Sequence, residues 1–346
     1  MSSFAFRNKQ VWEELESLVR RAHRWSGSLT SQERERLDAL YRQTTVHLAR
    51  VSTRSNDPVL LEYLNALTAA AHSVIYLPAR QSILGRIREF ATEGFARAIA
   101  RNWRPCAISS ALLIVGALIG YFAATSDPVL AHAMWPSQDP RQPGASAEQL
   151  TSHLRAGRDD AGGAKFLLTS FLFQNNLKVG LLAMAAGLLA GVPTVFLMIY
   201  NGMILGVFAA IHHQAGIDAE MWAWILPHGI TEIGAIALCG GVGLMIGHAV
   251  VSPGSLSRKQ SLLNAGREAS AICLGTAAML VAAALIEGYI RQTSWSTAAR
   301  LLFAASTAFF WIAYIALGFY RERQERSAVA AVVSIDTPSP SGRGPG

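Results

Sequence analysis

The sequence predicts an all-α protein that crosses a membrane several times. Only 15% of its 346 residues are charged and 51% are hydrophobic, where a soluble domain carries roughly 25% charged residues. The charges are unevenly spread, with residues 1–104 holding 26 of the 53 Lys, Arg, Asp and Glu. Several later segments run almost without charge for about 20 residues, enough for a helix to cross a ~30 Å hydrocarbon core. The expected architecture is a polytopic helical membrane protein with about six transmembrane helices behind an N-terminal helical cytoplasmic region.

Residues 1–80 read as that cytoplasmic region. In "SQERERLDALYRQTTVHLARV" the residues Leu37, Leu40, Tyr41, Val46 and Leu48 fall near helical spacing, with Ser31 as the expected cap. Pro58 after Asp57 suits the first position of a further helix. A small helical bundle is expected, with docking of a cytosolic partner as the functional alternative. No signal peptide is expected, because the first residues lack an apolar core and a small-residue cleavage site.

Residues 81–104 predict a basic amphipathic helix. Leu84, Ile87, Phe90, Phe95, Ile99 and Trp103 form an apolar stripe, with Arg86, Arg88, Arg97 and Arg101 beside it. Such a helix just ahead of a span reads as lying in the inner interface. The transmembrane domain is expected over 105–320, with spans near 106–124, 176–191, 193–211, 228–250, 269–290 and 297–320. A Pro-, Gly- and Ser-rich outer loop, 125–165, separates the first two. Gly191 and Pro193 are expected to form the inner turn between the second and third. A five-span alternative ends one kinked span at Tyr200 and makes "NGMILGVFAAI" re-entrant. A disordered cytoplasmic tail is expected over 321–346.

With six spans, the inner side receives 23 Lys and Arg and the outer side seven, as the positive-inside rule requires. Trp222, Trp224 and Trp295 then fall at the outer interface and Trp103 at the inner one. The net charge of +7 is explained by cytoplasmic loops and anionic lipid, so nucleic acid is not an expected partner.

Polar groups gather near the outer ends of the spans. His228 and Glu232 are four residues apart, on one helical face. Asn175, Asn176 and Lys178 begin the second span, and Glu287 lies near the end of the fifth. A carboxylate at that depth is costly unless it is paired or hydrogen-bonded, and Lys178 is the expected counter-charge for Glu232. Asn201 needs a partner on a neighbouring helix. Gly187 and Gly191, Gly202 and Gly206, and Gly243 and Gly247 have small-xxx-small spacing, with Gly240 nearby and Gly229 beside His228. That spacing lets backbones approach closely, so spans two, three and four are expected to form one tightly packed core.

Other chemistry has little support. Cys106, Cys239 and Cys273 are widely spaced in apolar segments and make neither a metal signature nor a disulfide framework. There is no HExxH pair and no GxSxG elbow, and "GGVG" sits in an apolar run where packing explains it. His248 is about 30 Å along a helix from His228, so the two cannot share an ion. His212 or His213 would have to complete any metal site. No catalytic residue, metal or cofactor is expected.

The segments "FLFQNNLKVGLLAMAAGLLAGVPTVFLMIYNGMILGVFAAI" and "WAWILPHGITEIGAIALCGGVGLMIG" resemble the stage II sporulation protein M family. The NN, the YNG with a second glycine four residues on, the PHGxxE and the glycine-rich tail stand in the family's order over about residues 165–250. By that resemblance Asn175, Asn176, Asn201, Gly202, His228, Gly229 and Glu232 are signature positions. The resemblance implies a polytopic inner-membrane protein without catalysis of its own, similar to the member that anchors peptidoglycan-remodelling enzymes during engulfment. The long arginine-rich N-terminal region departs from the pattern.

The functional expectation is a non-catalytic inner-membrane scaffold, multi-pass, with both termini cytoplasmic. Its partners would be the lipid bilayer and envelope or cytosolic proteins, with self-association left open. The polar cluster is then an interhelical clasp. The alternative is a small-solute or ion transporter using Asn175, Asn176, Asn201, His228 and Glu232, and an intramembrane enzyme is a third reading.

Overall fold

The computed structural model describes residues 3–24, 29–54, 57–76, 82–155, 176–290, 293 and 295–336. The chain divides into two units, Met1–Ile87 and Arg88–Gly346. The boundary thus falls inside the amphipathic stretch expected over 81–104.

The first unit is a three-helix bundle of α1 (Ser3–Arg24), α2 (Ser31–Arg54) and α3 (Pro58–Tyr76). Its core holds Trp12, Leu15, Leu18, Leu37, Leu40, Leu64 and Leu67, which recur at helical spacing on each segment. Thr30, rather than Ser31, caps α2. Its Oγ1 accepts from the Glu33 N–H at 3.3 Å while its own N–H donates to Glu33 Oε2 at 2.9 Å, a capping box. Asp57 caps α3, accepting from the Leu60 N–H at 3.1 Å, with Pro58 at the first helical position.

Among its described residues the second unit has helices joined by turns and bends, without strands. A short helix, α4 (Ile83–Glu89), passes through a π-helical turn, Phe90–Gly94, into α5 (Phe95–Arg101). Among the described residues five helices are long and apolar enough to cross a membrane: α6 (Trp103–Ser126), α10 (Val192–Gln214), α11 (Asp218–Val251), α12 (Arg258–Ile290) and α13 (Thr297–Asp336). Between α6 and α10 lie α7 (Pro128–Met134), α8 (Ala147–Arg155) and α9 (Asn176–Leu188). The described length of α9 is about 20 Å at 1.5 Å per residue, shorter than a full crossing, and the twenty residues before it lie outside the described ones. The expected second span is therefore a short helix over its described length, whereas the other five expected spans are full-length helices.

The turn after α9 falls where the sequence placed it. Ala190 has φ 60° and Gly191 φ 75°, and Pro193 sits in the first turn of α10. Glycine suits the second of these positions because it has no Cβ to clash in the left-handed region. The Thr194 hydroxyl closes the hairpin by donating to the Ala183 carbonyl at 2.9 Å.

Glycines set the closest approaches. A Cβ on Gly187 would meet the Gly243 carbonyl, and one on Gly247 would meet the Gly191 backbone, so α9 lies directly on α11. Gly202 and Gly206 face backbone atoms of Leu113, Ala117 and Tyr121, while Gly116 and Gly120 face Ile199 and Met203. The glycine face of α10 thus meets α6, not the second or fourth expected span. Gly240 approaches Ser109 and Met198, and Gly241 approaches Cys106. Among the described residues Gly229 takes part in no close helix crossing: its nearest atoms belong to Ile225 and Ile233 of its own helix.

Two expected segments differ from the structure. The basic helix over 81–104 does not lie free along an interface in its second half. Phe95, Ala96, Ala98, Ile99 and Ala100 are buried, Phe95 fills the notch at Gly275, and the Ala96 carbonyl lies against Gly318. Arg97 and Arg101 pair with Glu322 and Glu325 of α13. Phe95 and Ile99 of the apolar stripe are therefore packed inside the unit, whereas Leu84, Ile87 and Trp103 are exposed. The expected disordered tail is helical as far as Asp336, because α13 continues past its apolar part through "RERQERSAVAAVVSID". Residues 337–346 lie outside the described ones.

Candidate functional site

The stretch expected as an outer loop over 125–165 is, through 127–155, a folded cap. Asp127 caps α7, accepting from the Val129 N–H at 2.8 Å, with Pro128 at the first helical position. Ser146 and Gln149 form a capping box at the start of α8. Trp135, Leu150 and Leu154 are buried against Val207, Phe208, Ile211 and Met221 at the ends of α10 and α11. Arg155 of the cap pairs with Glu220 of α11 at 3.0 Å.

Within the cap, Arg141 grips Asp139 through two contacts of 2.9 and 2.6 Å. Burial alone would raise the Asp139 carboxyl, but hydrogen bonds from the Arg141 side chain and backbone, with its charge, outweigh this and hold it below the usual carboxylate value. The same guanidinium stands 5.0 Å from the centre of the Phe208 ring and 5.7 Å from that of Trp224, within cation–π range.

Beneath this arrangement is a cavity of about 250 Å³, lined by residues of the cap and of α9, α10, α11 and α12. Trp135 and Arg141 line it from the cap, and Phe208 and Trp224 add aromatic wall. Asn176, Asn201, His228, Glu232 and Glu287 supply its polar groups. The helix period explains the cluster. His228 and Glu232 are one turn apart on α11, Glu287 is near the end of α12, and Asn176 opens the described part of α9.

Asn176 Nδ2 donates to Glu232 Oε1 across the two helices. Glu287 is near enough to Glu232 for the two carboxyl groups to repel when both are charged. His228 is buried and meets Trp224 edge-on at 6.1 Å between ring centres. Lys178 is exposed, two residues and more than half a turn from Asn176, and does not line the cavity; it is not the counter-charge of Glu232. Asn201 lines the cavity, but its amide donates within its own helix to the Leu197 carbonyl at 2.7 Å. The neighbouring-helix partner expected for it is replaced by this back-bond. Asn175 lies outside the described residues.

Thr231, beside Glu232, faces the other way and accepts from Trp311 Nε1 of α13 at 3.0 Å. His212 is buried, with Nδ1 2.8 Å from the Phe208 carbonyl, and His213 contacts Asp218 at 2.9 Å. Neither lines the cavity. Among the described residues no three His, Cys, Asp or Glu come together as a metal site. Sequence reasoning missed Trp135, Arg141 and Phe208 as parts of the site. The proline and glycine of the cap suggested a plain loop, and only the pairing of Arg141 with the nearby Asp139 signalled local order.

Residues 109–291 match the family model for stage II sporulation protein M, and these are just over half of the chain. The chain belongs to the stage II sporulation protein M family. The match takes in the cap, the cavity and the glycine-packed helices α9 to α11, and five apolar helices make this member a multi-pass membrane protein. Residues 2–77, the three-helix bundle, match a domain of unknown function, DUF8413. The N-terminal departure from the family pattern is thus a domain with its own model. No curated protein and no solved structure matches this family member.

Proposed function

We propose that this family member is a non-catalytic membrane anchor for envelope proteins, with the cap as one docking platform and the N-terminal bundle as another. The observation that carries the reading is the cap itself. It is an ordered helical platform pinned to the helix ends by Trp135, Leu150, Leu154 and the Arg155–Glu220 pair, and it exposes Val129 and Leu130. Exposed apolar residues on a rigid surface suit protein docking. The glycine-to-backbone contacts beneath it suit a fixed support.

The same reading sets the cap on the outer side of a bacterial inner membrane, with both termini cytoplasmic. Support comes from charge: 23 of the 30 Lys and Arg then lie inside. Copurification in mild detergent tests the anchor role. Val129→Glu with Leu130→Glu should release an envelope partner without lowering the amount of folded protein. Retention of every partner by that variant defeats the reading.

A second reading, a small-solute or ion transporter, is favoured by the cavity reaching Glu232 between α9 and α11. Ionisable groups within membrane domains often mark solute paths. Flux into proteoliposomes that disappears in Glu232→Gln, with complexes intact, would favour it over the anchor.

A further inference from the structure

We propose that α4 docks on a membrane leaflet whose head groups are anionic, seating its apolar face among the lipid chains. This surface lies outside the cap, the cavity and the three-helix bundle, so neither reading above depends on it.

None of the residues of α4 is buried, and Ile83, Leu84 and Ile87 are each more than half exposed. At about 100° per residue these three share one face. Arg86 and Arg88 flank that face on its two sides, and Glu89 lies opposite it. An apolar centre, basic flanks and an acid turned away suit a helix lying in an interface, with the arginine stems over the apolar layer and their heads at the phosphates.

Charge selects the lipid. The structure divides the arginines of this stretch into two pairs. Arg97 and Arg101 of α5 are matched by Glu322 and Glu325. Arg86 and Arg88 are exposed, and among the described residues neither enters an ion pair. Two unmatched cations beside an apolar face call for an anionic surface. The depth agrees. The π-helical turn that follows α4 is fastened to α13, where the Tyr314 hydroxyl donates to the Ala91 carbonyl at 2.9 Å and Arg321 pairs with Glu93 at 3.3 Å. Those two residues of α13 stand on either side of the point where its apolar run gives way to "RERQER", the place where a span meets head groups. Trp103, half exposed with the Arg104 guanidinium 5.8 Å from its ring centre, marks a head-group layer at the start of α6. A helix that leaves this layer with its apolar face exposed meets lipid first.

The test follows amide hydrogen exchange of the full-length protein in phosphatidylcholine nanodiscs made with and without phosphatidylglycerol. With phosphatidylglycerol present, the amides of 83–91 should exchange more slowly, by about fivefold for each of the two arginines. High salt should cancel that gain, and the amides of α5 should not respond. Arg86→Gln with Arg88→Gln should remove the response to phosphatidylglycerol, and Arg86→Lys with Arg88→Lys should keep it. Leu84→Glu with Ile87→Glu should remove protection in either lipid. A bimane label on Leu84→Cys should be quenched by doxyl-labelled lipid more strongly when phosphatidylglycerol is present, with wild-type protein labelled in parallel to subtract its own cysteines. All these side chains are exposed, so the variants should fold. Equal protection in both lipids, or in detergent without either, would mean that another part of the chain covers the face. A full response in the glutamine variant would mean that the arginines do not read the head groups. Absence of protection and quenching throughout would leave the face to another protein. Any of these results overturns the proposal.

Discussion

Arg101 Nε lies 2.8 Å from Glu322 Oε2, although 221 residues separate them. One stands just before α6 and the other near the end of the apolar part of α13. The chain between them must therefore traverse the helical layer an even number of times. Taking the short α9 as one traverse gives the six spans of the expected layout, which this contact favours over the five-span alternative. Reporter fusions after Arg326 and within the cap at Gly144 should report opposite sides of the membrane. A shared side would contradict this layout. At the contact itself, Glu322→Arg should lower the midpoint, and adding Arg101→Glu should restore part of the loss, on the order of 1 kcal/mol for a partly buried pair.

The glycine contacts predict opposite outcomes for one chemical change. Gly243→Ala puts a methyl group against the Ala183 carbonyl and the Thr194 side chain, and should cost about 1–3 kcal/mol. Gly266→Ala on α12 meets nothing within 4 Å and should stabilise by about 0.5–1 kcal/mol through helix propensity. Thermal unfolding of the two variants in one detergent is the measurement. Equal effects would mean that α9 and α11 are not so close.

Asn176→Ala removes the amide that donates to Glu232 and should lower stability by about 1 kcal/mol, the scale of interhelical hydrogen bonds in membranes. Lys178→Ala, on the exposed side of the same helix, should change it by less than about 0.5 kcal/mol. The reverse ranking would restore Lys178 as the partner of Glu232.

The Asp139 carboxyl is held below its ordinary value. Its contribution is therefore present above the unfolded value, about 3.9, and is lost as pH falls through the lower folded value. The stability gap between the native protein and Asp139→Asn should be constant near neutrality and close on acidification below about pH 4. Hydrogen exchange of the cap amides would follow this, and a gap that widens with acid would refute it.

Periodicity made much of the fold legible. The apolar runs located five long helices, and the spacing of Gly187, Gly191, Gly243 and Gly247 marked faces that do meet. Periodicity names a face but not its partner. Gly202 and Gly206 met α6 because Gly116 and Gly120 stand opposite them, and that pair sits in a run where every residue is apolar. Asn201 found its acceptor one turn back in its own helix, an option that local hydrogen bonding always offers a short amide. Of the candidate site, His228, Glu232 and Asn176 were visible as polar residues in apolar surroundings. Trp135 and Arg141 were not, because their role depends on a cap whose position follows from tertiary packing. The arginines before α6 resembled a lipid-facing row. Their acidic partners lie more than 200 residues away in the chain, beyond the reach of any local pattern.

The carbonyl-to-glycine contacts also restrict how the membrane unit can deform. Where the backbone of one helix rests on the α-carbons of another, no rotamer can swing to absorb a displacement. The α6–α10 and α9–α11 pairs therefore behave as welded struts. Compliance is left to the seams filled by side chains, such as that between α11 and α12, where Met279 can reorient while the struts hold their spacing.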